Sequence, residues 1–150
     1  MIAQYPSGFF TDSEIIELPM KVIPLNAKEG DFTTIIFREN LMIVSYIFTL
    51  QEQAHARPSL MAISATLDTD KLNPFSFKQL FESLIEQLSL LNLKSSDFLI
   101  KILPKLYDSL SKGQSEIRIT KTVTLKIEIT NGMSQPEEKR KRQNKSKGMW

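Results

Sequence analysis

Reactive side chains are sparse in this chain, and their spacing builds no catalytic group. His55 is the only histidine. It sits in the polar stretch Gln51 to Arg57, so no histidine pair, zinc site or serine-histidine-aspartate arrangement can be assembled within one chain. The chain has no cysteine, which removes disulfides, thiolate metal ligands and cysteine nucleophiles together and suits a reducing cytosol. Lys28-Glu29-Gly30-Asp31 contains a glycine but not the longer glycine-lysine pattern that cradles phosphates, and it reads as a turn that starts a strand. With five glycines in all, no dinucleotide fingerprint exists. Asp68, Thr69 and Asp70 resemble the start of a calcium loop, but its glycine and closing glutamate are absent. They read as turn and pre-helix residues. Glu82 and Glu86 share one helical face, as a general acid and base could, yet they flank no pocket that the sequence implies and read as a solvated face. The expectation is a chain that is not an enzyme and needs no cofactor and no metal.

One charge cluster stands apart. Residues 137–150 hold Lys139, Arg140, Lys141, Arg142, Lys145 and Lys147 against Glu137 and Glu138, a net of +4, whereas positions 1–136 carry 13 basic and 15 acidic side chains. The basic character therefore belongs to a tail, not to the folded part. Lys139 to Arg142 could bind an anionic membrane surface or nucleic-acid phosphates. Apart from Trp150 no aromatics interleave the run for base stacking, which disfavours nucleic acid. A solubilising, untethered terminus is the plainer reading.

At 150 residues, with 41% hydrophobic and 24% charged side chains, the chain is expected to form one soluble domain over residues 1–132, followed by a disordered basic tail over 133–150. No apolar run is long enough to span a bilayer, no signal peptide is expected, and a cytoplasmic location, peripheral at membranes through the tail, follows.

The elements that would position these residues are organised around 26–68. Phe32 to Phe37, Leu41 to Leu50 and Leu60 to Leu67 read as three strands, rich in Val, Ile, Tyr, Phe and Thr. Arg38-Glu39-Asn40 is short enough for an antiparallel hairpin, with Asn40 best suited to a left-handed turn position. Ahead of them, Ile2 to Tyr5 reads as the end of a strand stopped by Pro6-Ser7-Gly8. Thr11-Asp12-Ser13-Glu14 is a capping-box pattern. Ile15, Ile16, Met20 and Ile23 then fit one helical face, although the alternation Ile16, Leu18, Met20, Val22 fits a strand nearly as well. The spacing is read as a helix over 12–23, kinked by Pro19 and ended by Pro24.

After the strands, Asn73-Pro74 opens the clearest helix, with asparagine as cap and proline at the first helical position. Its inner face holds Phe77, Leu80, Phe81, Leu84, Ile85, Leu88 and Leu91. Ser95 or Ser96 caps a further helix that turns Phe98, Leu99, Ile102, Leu103, Leu106, Tyr107 and Leu110 inward, is bent by Pro104 and stops near Gly113. Glu116 to Thr130 alternates most regularly of all and reads as one strand, with Lys121 the polar intruder in its apolar register. The architecture is α+β: helices layered on an antiparallel sheet.

This order, with certain local sequences, resembles a longin domain of the branch related to DENN proteins, nutrient-signalling regulators of small GTPases and relatives in the archaeal lineages closest to eukaryotes. The residues that carry it are Ile2-Ala3-Gln4-Tyr5-Pro6, the run from Pro24 to Phe32, Val44-Ser45-Tyr46-Ile47-Phe48, Arg57-Pro58-Ser59-Leu60 followed by Ala62-Ile63-Ser64, and Asn73-Pro74-Phe75. It covers roughly residues 2–112. Two departures matter. Longin domains begin with a central strand that is missing here, and they end at the last helix, whereas this chain continues. Residues 116–130, or a partner chain, would then fill the vacant sheet position, since an open slot invites aggregation.

The resemblance implies a scaffold that pairs with another longin or roadblock-type domain, binds a small GTPase, or both, in trafficking or nutrient signalling. A homo- or heterodimer formed by sheet extension is expected. Its candidate contacts are Phe32, Ile36, Tyr46 and Phe48 on the hairpin and Phe77 and Phe81 on the helix that follows. The rival expectation is an electrostatic adaptor acting through Lys139, Arg140, Lys141 and Arg142.

Overall fold

The computed structural model describes residues 2–68, 73–112, 116–118 and 124–126. In order these form α1 (Asp12–Val22), β1 (Phe32–Arg38), β2 (Leu41–Leu50), β3 (Ser59–Asp68), α2 (Pro74–Leu90), α3 (Ser96–Ser111), β4 (Glu116–Arg118) and β5 (Thr124–Lys126). The architecture is α+β, with one helix before the hairpin and two after the third strand.

The first three strands form an antiparallel meander in the order β1-β2-β3. Asn40 makes the first reversal possible: its φ of 63° lies in the left-handed region that asparagine tolerates better than most residues. β2 is the central strand and has no polar face to spare. Its even-numbered residues Val44, Tyr46, Phe48 and Leu50 pack with Ile63 and Leu67 of β3 against α2 and α3. On the opposite face Ile43 meets Leu18 and Val22 of α1. The sheet is thus covered on both faces, which accounts for the nearly continuous apolar run of β2.

Local chemistry sets the helix ends. Thr11 and Glu14 exchange side-chain and backbone hydrogen bonds in a complete capping box at α1. The Asn73 side chain accepts from the Phe75 N–H with Pro74 in the first turn of α2, and Ser95 accepts from the Phe98 N–H at α3. α2 ends in a Schellman motif. Asn92 takes φ 55°, and the Leu93 and Asn92 N–H groups donate to the Leu88 and Ser89 carbonyls at 2.9 and 3.2 Å. Leu93 is thereby folded back against the core.

Three expectations are corrected. Ile2 to Tyr5 forms no strand. No described strand lies beside it to complete a ladder, and Tyr5 instead stacks edge-on against Tyr107 of α3 at 5.4 Å between centroids. In α1 the buried stripe is Leu18 and Val22, while Ile16 and Met20 are 77% and 83% exposed. Leu18 and Val22 pack against Ile43, and the Thr33 hydroxyl, which donates to the Val22 carbonyl at 3.1 Å, ties the end of the helix to β1.

Third, Glu116–Arg118 and Thr124–Lys126 do not belong to one continuous strand. β4 and β5 pair antiparallel with each other, Glu116 with Lys126 and Arg118 with Thr124, in a separate two-stranded sheet. That pairing is symmetric about position 121, where the single polar residue interrupts the apolar alternation. Positions 119–123, 127–150 and Gly113 lie outside the described residues, as do the proposed domain boundary and the basic tail.

Candidate interaction surface

Among the described residues no strand adds to either border of the meander, and the direction of the backbone groups there follows from one pair of bonds. Ile47 donates its N–H to the Asp31 carbonyl and accepts from the Gly30 N–H, each at 2.8 Å, so its polar backbone atoms face the β1 side. The reversal that brings Gly30 there uses φ 91°, a conformation costly for residues with a Cβ. Backbone groups along an antiparallel strand alternate in direction. Those of Tyr46 and Phe48 therefore face β3, and their partners Ile63 and Met61 face back. The residues between, Leu60, Ala62, Ser64 and Thr66, turn their N–H and C=O groups away from the sheet. Among the described residues nothing bonds to these groups.

The same alternation explains the Ser45–Ser64 pair. The two residues face each other without mutual backbone bonds, which is the closer of the two antiparallel pairings. Their hydroxyls meet at 2.6 Å, satisfying Ser45 at a position fully removed from solvent.

β3 is unguarded along this border. It runs ten residues with no proline, no register shift and no charge until Asp68 at its end. β1 is guarded. Its register slips between Ile36 and Arg38, a bulge that doubles Phe37 against the β2 ladder. Arg38 there lies over the rings of Phe9 and Phe37 at 5.5 and 5.2 Å and meets Glu14 at 2.5 Å. Its guanidinium, with the Thr11 N–H, holds the Glu14 carboxyl below its ordinary value.

The six sequence-derived contact residues divide sharply. Tyr46, Phe48, Phe77 and Phe81 are buried in the core between the sheet and α2–α3, where they present no surface to a partner. Phe32 is half-buried against the same core. Ile36 alone is open, at 78% exposure on β1. Lys139 to Arg142 lie outside the described residues.

Tyr46 is buried in the same core. Burial, reinforced by the carboxylates of Glu82, Glu29 and Glu86, pushes its pKa above the usual phenol value. Glu82 and Glu86 are themselves exposed, as is His55 in its loop. Among the described residues no group of three or more acidic or histidine side chains is placed to hold a metal ion, and no helix is long and apolar enough to cross a membrane.

Sequence reasoning missed the β3 border. Its signal was an absence: between Arg57 and Asp68 the chain carries no charge at all, which is unusual for a strand left at an edge. No protein-family model matches this chain, and no curated protein matches its sequence.

Proposed function

We propose that this chain is a non-enzymatic interaction module of longin-like design, which scaffolds or regulates a small GTPase through pairing with another longin or roadblock-type domain. The observation that supports the reading is the outer border of β3, where the backbone groups of Leu60, Ala62, Ser64 and Thr66 face outward and nothing among the described residues bonds to them. Such a border binds by adding a strand, with main-chain hydrogen bonds supplying affinity. The layered arrangement of one helix on one face and two on the other is consistent with the resemblance seen in the sequence. In this reading the GTPase carries nucleotide and magnesium, and the present chain contributes neither.

Binding of the purified full chain to a panel of small GTPases, each loaded with GDP or a non-hydrolysable GTP analogue, tests it. Affinity that depends on the nucleotide state is expected. Equal or absent binding across the panel overturns the GTPase assignment.

The net +4 of residues 137–150 supports a second reading, an adaptor for anionic membrane. Deleting those residues separates the two. Domain pairing survives the deletion in the first reading, whereas salt-sensitive binding to phosphatidylserine vesicles is lost in the second.

A further inference from the structure

We infer that residues 2–7 form a hinged strap, which closes on Tyr107 near the C-terminal end of α3 and opens about Gly8 while Phe9 and Phe10 stay docked at the end of β1. The motion is internal to the chain and does not depend on the interaction-module reading.

The segment passes from one face of the sheet to the other. Tyr5 meets the Tyr107 ring edge-on at 5.4 Å between centroids, on a helix whose Ile102 and Leu106 pack with α2 against the sheet. Phe10 packs on the opposite face with Leu18, Val22 and Ile43.

The two halves are held unequally. Phe10 is half-buried in that cluster and stacks edge-on with Phe37 at 5.3 Å and with Phe9 at 5.0 Å. The Arg38 guanidinium lies 5.5 Å from the Phe9 ring, and Thr11, next along, is fixed by the capping box of α1. The outer half has far less. Ile2 and Tyr5 are exposed, and among the described residues the Tyr5 ring stacks on Tyr107 alone. No hydrogen bond joins residues 2–10 to the rest of the described chain. Gln4 works against closure: its side-chain carbonyl oxygen is removed from solvent and finds no partner, a desolvation that nothing offsets. Ordering these residues also costs conformational entropy. One exposed ring pair set against these costs places the outer half at the low-stability end of the molecule, where local opening begins.

Gly8 stands at the junction of the halves with φ 80°. A Cβ there would meet nothing within 4 Å, so glycine is needed for the backbone conformation and not for space. A hinge requires a residue that absorbs such a change. The two states differ in what α3 presents. Closed, Tyr5 occupies one side of Tyr107; open, that side is free, and a partner that takes it favours the open state.

NMR relaxation of the full chain tests the inference. In the wild type the amides of Ala3, Gln4, Tyr5 and Ser7 and the ring of Tyr107 should show two-state exchange on the microsecond-to-millisecond scale, and the amides of Phe9 and Phe10 should show none. Tyr107→Ala removes the closing contact at an exposed position. Order parameters at Gln4, Tyr5 and Ser7 should then fall below about 0.6 while Phe10 stays near about 0.85. Gln4→Leu removes the unpaired oxygen and should lower the open population roughly fivefold or more. Gly8→Ala strains the closed turn and should raise it. Residues 3–7 as rigid as the sheet in both the wild type and Tyr107→Ala, or already disordered in the wild type, overturn the proposal. So do Phe9 and Phe10 loosening together with them. No partner enters the measurement, so its failure and that of the interaction-module reading are separate results.

Discussion

The sheet has two borders that differ in every feature known to control strand addition. β1 is short, bulged at Phe37 and pinned to α1 by Thr33 at one end and Arg38 at the other. β3 is ten residues long, regular and uncharged to its last position. Both are antiparallel partners of the same central strand, so the difference is one of guarding and not of topology. A protein that left both borders like β3 would risk open-ended polymerisation, and one that guarded both like β1 would have no strand to offer.

The comparison breaks first at its common support. Leu84 and Leu88 of α2 are fully buried under β2, and both borders hang from that strand. Leu84→Ala should cost about 2–5 kcal/mol by leaving a cavity. In chemical denaturation β1 and β3 should then lose structure together, in a single transition. Separate transitions would mean that the borders are independent units.

Next come the borders themselves. Thr66→Lys on β3 should weaken association by strand addition, whereas Ile36→Lys on β1, where the side chain is already 78% exposed, should change neither association nor stability measurably. Light scattering of the two variants at matched concentrations checks this. Equal effects would erase the distinction.

A smaller effect sharpens the β3 side. Ser64→Ala removes the partner of the buried Ser45 hydroxyl and should cost about 1–3 kcal/mol, read as a fall in melting temperature.

The least effect belongs to the β1 side. Because the Arg38 bond lowers the Glu14 pKa in the folded chain, its contribution is fully present above the ordinary carboxylate value. It is lost as pH falls through the lowered value. Glu14→Gln should flatten the acid side of a melting-temperature profile while leaving strand addition at β3 intact. The pair is solvent-exposed, so the change is expected to be slight.

Much of the fold was legible because its signals are local. The hairpin turn at Asn40, the capping box at Thr11, the Asn73-Pro74 start and the inner face of α2 each depend on residues within a turn or two of one another. Failures came where distant partners decide. Ile16 and Met20 are as apolar as Leu18 and Val22, and only the docking of α1 on β1 determines which pair is buried. The alternation from Glu116 onward fits a strand, but alternation says nothing about which strand it pairs with, and its described halves pair with each other.

Four of the expected contact residues, Tyr46, Phe48, Phe77 and Phe81, are large aromatics, a type enriched at interfaces. In a chain of this length such side chains are also needed for the core, and that is where they lie. The candidate border is built instead from Leu60, Ala62, Ser64 and Thr66, whose contribution is backbone and leaves little mark in side-chain composition.

Residue-resolved amide exchange of the full chain across a concentration series tests the central claim most directly. At the lowest concentration, the amides of Leu60, Ala62, Ser64 and Thr66 should exchange quickly while those of Met61, Ile63 and Ala65 stay protected by β2. If the even-numbered amides are protected as well as the odd-numbered ones at every concentration, β3 is not a border left for a partner strand.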